Sequence, residues 1–541
     1  MNIMKKYRIK RVLVFTGLAV GIMGPLLLGG YILTLDLSWT PYITHDIADT
    51  HYGYKLLLYS LSHLIPSSWV EKLALLGILI LSGIGAHRMV SRFTTVASWA
   101  AVFAGVLYMI NPFVYTRFMA GQYIVLSGYA VLPWFVTSLW SFIDNPSPRS
   151  GLILAAWTTA VGITSLHSVF FIALIAIVSL VIAGVGTKRT HLRRKWLSYG
   201  ALAFGVTLIA SSYWVVPMML GTSRQAEEIA TFTSTDTRLY RTDGGTLGLP
   251  ANVFALSGFW GDRLSQYELP WDMESWWIVP AIALIVLSAW GFYVSIRARD
   301  KVGISLGIVA LIAAVLAMGD AWAPTAWLWH GLVRFVPFFA GYREPQKFVA
   351  LVALGEAYLV ARAVGWGAEK LKGKAMAAAL VPLVFALPFA LTPSMLWGMH
   401  GQLKSVDYPG DWYALDTRLS QDPTHPKSLF LPWHGYMRLD FAGRVVANPA
   451  SRFFSAPMVA GDNIDRAGER LSPASQLVSG KIIPAGKAGQ DVSGLLRDAG
   501  FKYVVLAKTA DYQAYSWIGH QPGLKLLSDT QSLMVYEVSH E

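Results

Sequence analysis

The sequence predicts a polytopic α-helical membrane protein of about eleven transmembrane helices followed by a C-terminal extracytoplasmic α/β domain. Two observations carry this. Runs of about 18 or more apolar residues recur through residues 12–397 of a 541-residue chain whose mean hydropathy is +0.45, and about 20 helical residues cross the hydrocarbon core. The connections between those runs also alternate: short ones rich in Lys and Arg, then long ones rich in aromatic and acidic residues.

The apolar runs place spans near 12–34, 72–86, 95–110, 121–143, 151–166, 169–186, 197–218, 277–296, 302–319, 347–366 and 375–397. Thr164, Ser165, His167 and Ser168 interrupt the 151–186 stretch, which also fits one broken helix plus another. Lys5, Lys6, Arg8, Lys10 and Arg11 precede the first span. Further basic groups (Arg88 and Arg92; Lys188, Arg189, Arg193, Arg194 and Lys195; Arg297, Arg299 and Lys301; Lys370, Lys372 and Lys374) recur at every second connection. Cytoplasmic loops carry such an excess, so the N-terminus is expected in the cytoplasm and the tail outside. This pattern also accounts for the net charge of +12, and no nucleic-acid partner is expected. The first segment has the basic flank of a signal peptide but is too long and lacks a small-x-small cleavage site, so it reads as a retained anchor. With no cysteine, disulfide and thiol chemistry are excluded, and the tail must be stabilised by its own core.

The expected organisation is a membrane domain over 1–397, with outer loops 36–71, 219–276 and 320–346, and a soluble α/β domain over 398–541. In the first loop, Leu56, Leu57, Tyr59, Leu61 and Leu64 predict an amphipathic helix at the interface. Trp39, Trp69, Trp260, Trp271, Trp276, Trp277, Trp322, Trp327 and Trp329 fall in or beside the outer pieces. An interfacial belt explains most of them, and sugar stacking or a lipid-tail groove is the sharper reading. In the tail, residues 411–421 and 491–500 predict helices; 428–433, 502–508 and the 524–538 pair predict strands. No G-x-S-x-G, P-loop or zinc-ligand spacing occurs there, which favours recognition or stabilisation over catalysis.

Asp36 follows the first apolar run. A carboxylate there can take a hydroxyl proton as a general base, or cap the next helix from the turn Asp36-Leu-Ser-Trp-Thr-Pro41. His45, Asp46, Asp49 and His51 form H-D-x-x-D-x-H, whose readings are a solvated loop, a metal site or a catalytic group. Arg343-Glu344-Pro345-Gln346-Lys347 stands at the outer mouth of the tenth run, where Arg and Lys can converge on one phosphate or simply flank the helix end. Outer cations run against the positive-inside bias, which favours phosphate. Arg117 is a further outer cation. Glu356 lies within the tenth run, and an intramembrane carboxylate points to a functional site. Trp260, Asp262, Asp272 and Glu274 are candidate acceptor-binding residues, with ordinary loop polarity as the plainer reading.

Three segments carry a family resemblance: N-P-F-V-Y-T-R-F-M-A-G-Q at 111–122, running into G-Y-A-V-L-P-W at 128–134; S-G-F-W-G at 257–261; and Y-R-E-P-Q-K-F at 342–348. They resemble segments of GT-C type multipass membrane proteins, a group that includes YfhO-like proteins and relatives of arabinofuranosyl- and mannosyltransferases. The resemblance covers most of the chain, including the order of inner loops, outer loops and outer tail. It implies transfer of a sugar, with inversion, from a polyprenyl-phosphate-linked donor to a glycan or glycolipid acceptor. It further implies an acidic base in the first outer loop, matched best by Asp36 and next by Asp46 and Asp49, and outer cations on the lipid phosphate, here Arg343, Lys347 and Arg117. No cofactor is implied. A strict D-x-D is absent from 36–71, which speaks against a divalent metal. The alternatives are an inactive assembly or scaffold relative and a lipid or glycan transporter; the latter usually shows paired broken helices in two related halves, which this sequence lacks.

Overall fold

The computed structural model describes residues 2–44, 51–185, 190–230, 232, 234–273, 275–371, 374–463 and 471–539. Contacts divide the chain into two units. The first comprises Met1–Gly24, His45–Leu57 and Leu73–Gln402; the second comprises Pro25–Thr44, Leu58–Lys72 and Leu403–Glu541.

The first unit is helical. Among the described residues, eight helices are long and apolar enough to cross a membrane, or up to nine if a pair bent by 75°, Ala379–Leu391 with Pro393–His400, counts as one span. The two remaining apolar runs also form helices, Arg11–Leu27 and the 17-residue Pro148–Thr164, both shorter. The expected first span over 12–34 is too long. Its helix, Asn2–Met23, gives way to a 3₁₀ turn at Gly24–Leu27 and then to a strand at Tyr31–Thr34. Pro25 cannot continue the helical hydrogen-bond ladder, and Gly24 turns the chain at a φ of +46°. The 151–186 stretch breaks at Ser165, whose extended backbone separates Pro148–Thr164 from Leu166–Gly184.

Helix Val349–Lys370 runs through the middle of this unit and is buried along most of its length. Small residues let its neighbours approach. A Cβ at Gly291, on helix Ile278–Arg297, would collide with the Leu359 carbonyl, and one at Gly355 would lie 2.9 Å from the Leu306 carbonyl. Such approach is how helices associate where no hydrophobic force separates them from lipid. Gly291→Val is therefore expected to destabilise the unit by about 2 kcal/mol or more, read as a lower melting temperature in detergent. In the same helix, Arg362 faces Asp300 at 3.4 Å. Glu356 is 2% exposed, and neither carboxyl oxygen has a hydrogen-bond partner among the described residues.

The second unit carries the strands: β1 (Tyr31–Thr34), β2 (Leu37–Ser38), β3 (Ser405–Val406), β4 (Lys427–Leu431), β5 (Tyr436–Leu439), β6 (Arg444–Ala447), β7 (Met458–Val459), β8 (Phe501–Ala507), β9 (Leu524–Asp529) and β10 (Leu533–Val538). The main sheet has the order β7-β4-β8-β10-β9. β4 is parallel to β7 and β8, and β10 is antiparallel to β8 and β9. The apolar runs of β4 and β8 put Leu429, Leu431, Val504 and Leu506 in one core with Val478, Ile482, Leu496 and Ile518 from the flanking helices. Helix Gly410–Gln421, helix Ser493–Asp498 before Gly500 at φ +75°, and the closing strand pair all form where the sequence predicts them. The hairpin β5-β6 and the small sheet β2-β1-β3 were not foreseen. β1 pairs with β3, so the segment ahead of Asp36 belongs to the same unit as the tail.

Candidate functional site

The three segments that carry the family resemblance meet in the first unit around one buried ion cluster. Helix Pro112–Met119 supplies Arg117. Asn111 caps it by accepting from the Val114 N–H, and Pro112 opens it, a start signal written in the sequence as Asn-Pro. Gly258 (φ +92°) turns the second segment so that Phe259 lies 4.2 Å below the Arg117 guanidinium. The third segment is a 3₁₀ turn, Pro345–Phe348, that sets Glu344 and Lys347 three residues apart just before the central helix. Gly319 (φ +52°) leaves room for the Pro345 ring, which a Cβ there would approach to 2.7 Å.

Glu344 is the hub. Its Oε2 accepts from Arg117 Nη1 at 2.9 Å and from Trp260 Nε1 at 3.0 Å, and its Oε1 lies 2.9 Å from Lys347 Nζ. Arg117 also donates to Gln346 and to Gln122. Lys347 Nζ lies 3.1 Å from His167 Nε2; an ammonium only donates, so that ring nitrogen accepts. Arg117 and Gln346 are fully buried, and Glu344 and Lys347 are 5% and 6% exposed. Burial alone would push the Glu344 carboxyl up. The Lys347 and Arg117 charges outweigh it and hold the carboxyl well below the ordinary carboxylate range.

Beside the cluster lies a cavity of about 540 Å³, walled by Phe170, Trp214, Met218, Phe232, Phe339 and other apolar groups, with Arg343, Lys347, His167 and His51 also on its lining. Arg343 holds its guanidinium over Phe232 at 4.5 Å and over Tyr240 at 4.9 Å, and makes no ion pair among the described residues. Lys347, by contrast, is tied to Glu344. Three cations and one carboxylate leave the neighbourhood net positive; Arg117 and Lys347 share Glu344, and Arg343 pairs with no carboxylate among the described residues. An apolar wall with a cationic end suits an amphipathic anion.

The other expected site residues fall elsewhere. Trp260 joins the Glu344 cluster through its indole N–H. Asp262 follows on the 3₁₀ helix Trp260–Leu264; Tyr267 donates to its Oδ1 at 3.2 Å, and its Oδ2 is buried without a hydrogen-bond partner among the described residues. Burial raises its carboxyl well above the ordinary value, although the Tyr267 hydrogen bond and Arg117 oppose this. Folding therefore penalises the ionised form. Asp262→Asn should leave the melting temperature at neutral pH unchanged or higher, and a fall of several degrees would contradict this. Asp272 is exposed. Asp46, Asp49, Glu274 and His45 lie outside the described residues. Among the described residues, no group of three or more His, Cys, Asp or Glu side chains is placed to hold a metal ion.

Asp36 belongs to the second unit, in the turn between β1 and β2, where its side chain is exposed and accepts from the Tyr436 hydroxyl. Among the described residues it caps no helix. Sequence reasoning missed His167, Gln122, Tyr436 and Gln346 as partners. His167 stood out only as a polar interruption of an apolar run; Gln122 and Gln346 lay within the resemblance segments without being singled out, and Tyr436 carried no signal.

No protein-family model matches the sequence, and no curated protein matches it significantly. Solved structures do. The arabinofuranosyltransferase AftD from Mycobacteria matches over 98% of this chain with a TM-score of 0.63 at 15% identity; this chain spans 40% of the AftD chain, about two fifths of its length. The oligosaccharyltransferase of Archaeoglobus fulgidus in its apo form matches over 99% of this chain and 75% of its own, with a TM-score of 0.53 at 12% identity. The oligosaccharyltransferase AglB from Archaeoglobus fulgidus, in complex with an inhibitory peptide and a dolichol-phosphate, gives a TM-score of 0.50 at 13% identity, over 99% of this chain and 74% of its own. At such identities the likeness is one of fold: the chain has the membrane fold of GT-C type glycosyltransferases, followed by a sheet-containing C-terminal unit.

Proposed function

We propose that this protein is a membrane glycosyltransferase that moves a sugar from a polyprenyl-phosphate-linked donor to a glycan or glycolipid acceptor on the outer face of the plasma membrane. The N-terminus is then cytoplasmic and the tail extracytoplasmic, as the distribution of Lys and Arg suggests. The observation that carries the reading is the apolar cavity with Arg343 and Lys347 on its lining, beside an ion cluster built from three separate segments. An apolar wall accommodates a prenyl chain, and cations at one end accommodate its phosphate. The fold shared with AftD, and with an archaeal enzyme solved with a dolichol-phosphate, agrees with a lipid-linked donor.

In this mechanism Arg343 is the principal phosphate ligand. Lys347 assists, held in place by Glu344 and His167. A carboxylate base takes the proton of an acceptor hydroxyl, whose oxygen attacks the anomeric carbon with inversion; Asp36, which the family resemblance matches best, is the candidate for that role. The bond from that carbon to the phosphate oxygen breaks, and its electron pair leaves on polyprenyl phosphate. Positive groups fixed at that oxygen stabilise the charge as it develops, which lowers the barrier more than binding alone would. The Tyr436 hydroxyl donates to Asp36 Oδ1 and fixes the orientation of its carboxyl group. The test is transfer by the purified protein from a panel of polyprenyl-phosphate sugars, beside Asp36→Asn. Loss of a positioned base lowers kcat by about 10²–10⁴-fold. Equal transfer by both forms would move the base, first to Asp46 or Asp49.

A further inference from the structure

The polar interruption of the 151–186 stretch brings a histidine to the cavity. Ser165 is extended (φ −157°, ψ 119°), so helix Leu166–Gly184 restarts with Leu166 and His167 on the cavity lining. Gly128, within the resemblance segment 128–134, makes room for the break: a Cβ there would collide with Ser168 Oγ and lie 2.7 Å from Ser165 Cβ. We propose that His167 is a positioning residue for sugar transfer, its Nε2 aiming the Lys347 ammonium at the donor phosphate. This role rests on the transferase reading and adds a residue to the same site.

Donor geometry carries this. An ammonium has three N–H bonds in tetrahedral directions and no lone pair. In Lys347 one of them meets Glu344 Oε1 at 2.9 Å, and another meets His167 Nε2 at 3.1 Å. Held by Glu344 alone, the flexible lysine stem could still swing about that single contact. A second anchor fixes the nitrogen, and two fixed N–H directions fix the third. Lys347, His167 and Arg343 all stand on the lining of the one cavity, so the third N–H is available to a phosphate bound there.

The ring is held in the tautomer that this task requires. It hydrogen-bonds the Gly341 backbone, whose N–H already donates to the Phe338 carbonyl. The Gly341 carbonyl is therefore the acceptor, which puts the ring proton on Nδ1 and leaves the Nε2 lone pair to Lys347. Tyr342 secures the histidine from the other side. Its hydroxyl donates to the His167 carbonyl at 2.5 Å, and its ring meets the imidazole edge-on with centres 5.3 Å apart. Supporting contacts of this kind keep a working group within the narrow geometry that its chemistry needs.

The test uses the full-length protein in nanodiscs. His167→Leu removes the acceptor, and His167→Gln restores one as a side-chain carbonyl oxygen. In His167→Leu, kcat for transfer should fall about tenfold or more, because a small displacement of a reacting group is costly. His167→Gln should recover most of that loss. In a Lys347→Met background His167→Leu should cause no further loss, since the histidine acts through the lysine. Equal losses in the two His167 variants, or losses that add to that of Lys347→Met, would overturn the proposal. A second readout needs no donor: NMR of protein isotope-labelled at the histidine nitrogens, near neutral pH, with the His167 signals identified by their loss in His167→Gln. The expected pattern is a protonated Nδ1 and a bare Nε2 whose shift moves in Lys347→Met. A proton on Nε2 overturns the proposal even where transfer is robust. Absence of transfer beside the expected pattern keeps His167 as the anchor of Lys347 and counts against the transferase reading, so the two fail separately.

Discussion

Arg343→Ala should lower kcat for sugar transfer by about a hundredfold or more, with little change in melting temperature. Removing one group that stabilises developing negative charge typically costs about 10²–10³ in kcat. The guanidinium rests on Phe232 and Tyr240 and makes no ion pair among the described residues, so little of the fold depends on it. Arg343→Lys should recover only part of the loss, because an ammonium cannot present the planar fork that grips two phosphate oxygens. The donor KM should rise as well, since the phosphate is bound in the ground state too. Unchanged kcat and KM in the alanine variant would remove Arg343 from the site.

The largest effect on stability is expected at Glu344. Glu344→Ala leaves Arg117 and Lys347 buried side by side with no negative charge between them, and breaking a buried pair costs about 3–5 kcal/mol. Trp260 Nε1 loses its acceptor at the same time. Glu344→Gln should lie between the two, keeping one acceptor oxygen without the charge. The pH dependence follows from the lowered carboxyl. A group whose folded value is depressed contributes stability above the unfolded value and loses it as pH falls through the folded one. Since Glu344 is held well below the ordinary range, the wild-type melting temperature should show no loss from this group between about pH 8 and pH 5. Thermal unfolding in detergent across that interval checks both statements.

Most of the helical architecture was legible because each apolar run is a physical requirement of the bilayer. All eleven runs are helical, although two fall short and one is bent. The tail strands were legible where apolar runs are buried on both faces, as in β4 and β8. The hairpin β5-β6 was not, because Tyr436–Leu439 and Arg444–Ala447 are short and mix charges with apolar residues. The first span was drawn too long because Leu26 to Leu35 is as apolar as a membrane helix; the Gly24-Pro25 break decides otherwise.

The candidate site was half legible. Arg117, Glu344 and Lys347 stood out as cations and a carboxylate near apolar runs, and the three resemblance segments do converge. Their mutual pairing could not be read, since Arg117 and Glu344 are 227 positions apart and no local spacing encodes that contact. For the same reason Lys347 looked like a free phosphate ligand, whereas Glu344 already engages it. Trp260 was assigned to an acceptor on residue type alone, and its indole serves the ion cluster.

The central claim is that the cavity beside Arg343 holds the prenyl phosphate, and the measurement that tests it most directly is photo-crosslinking. A short prenyl phosphate carrying a photoreactive group on its chain is bound to the purified protein in nanodiscs, and the labelled residues are mapped by mass spectrometry. The expected labels fall on Phe170, Trp214, Met218, Phe232 and Phe339, fade when unlabelled polyprenyl phosphate is added, and weaken in Arg343→Ala. Labels confined to other surfaces, or labels at the cavity that polyprenyl phosphate does not displace, would contradict the claim.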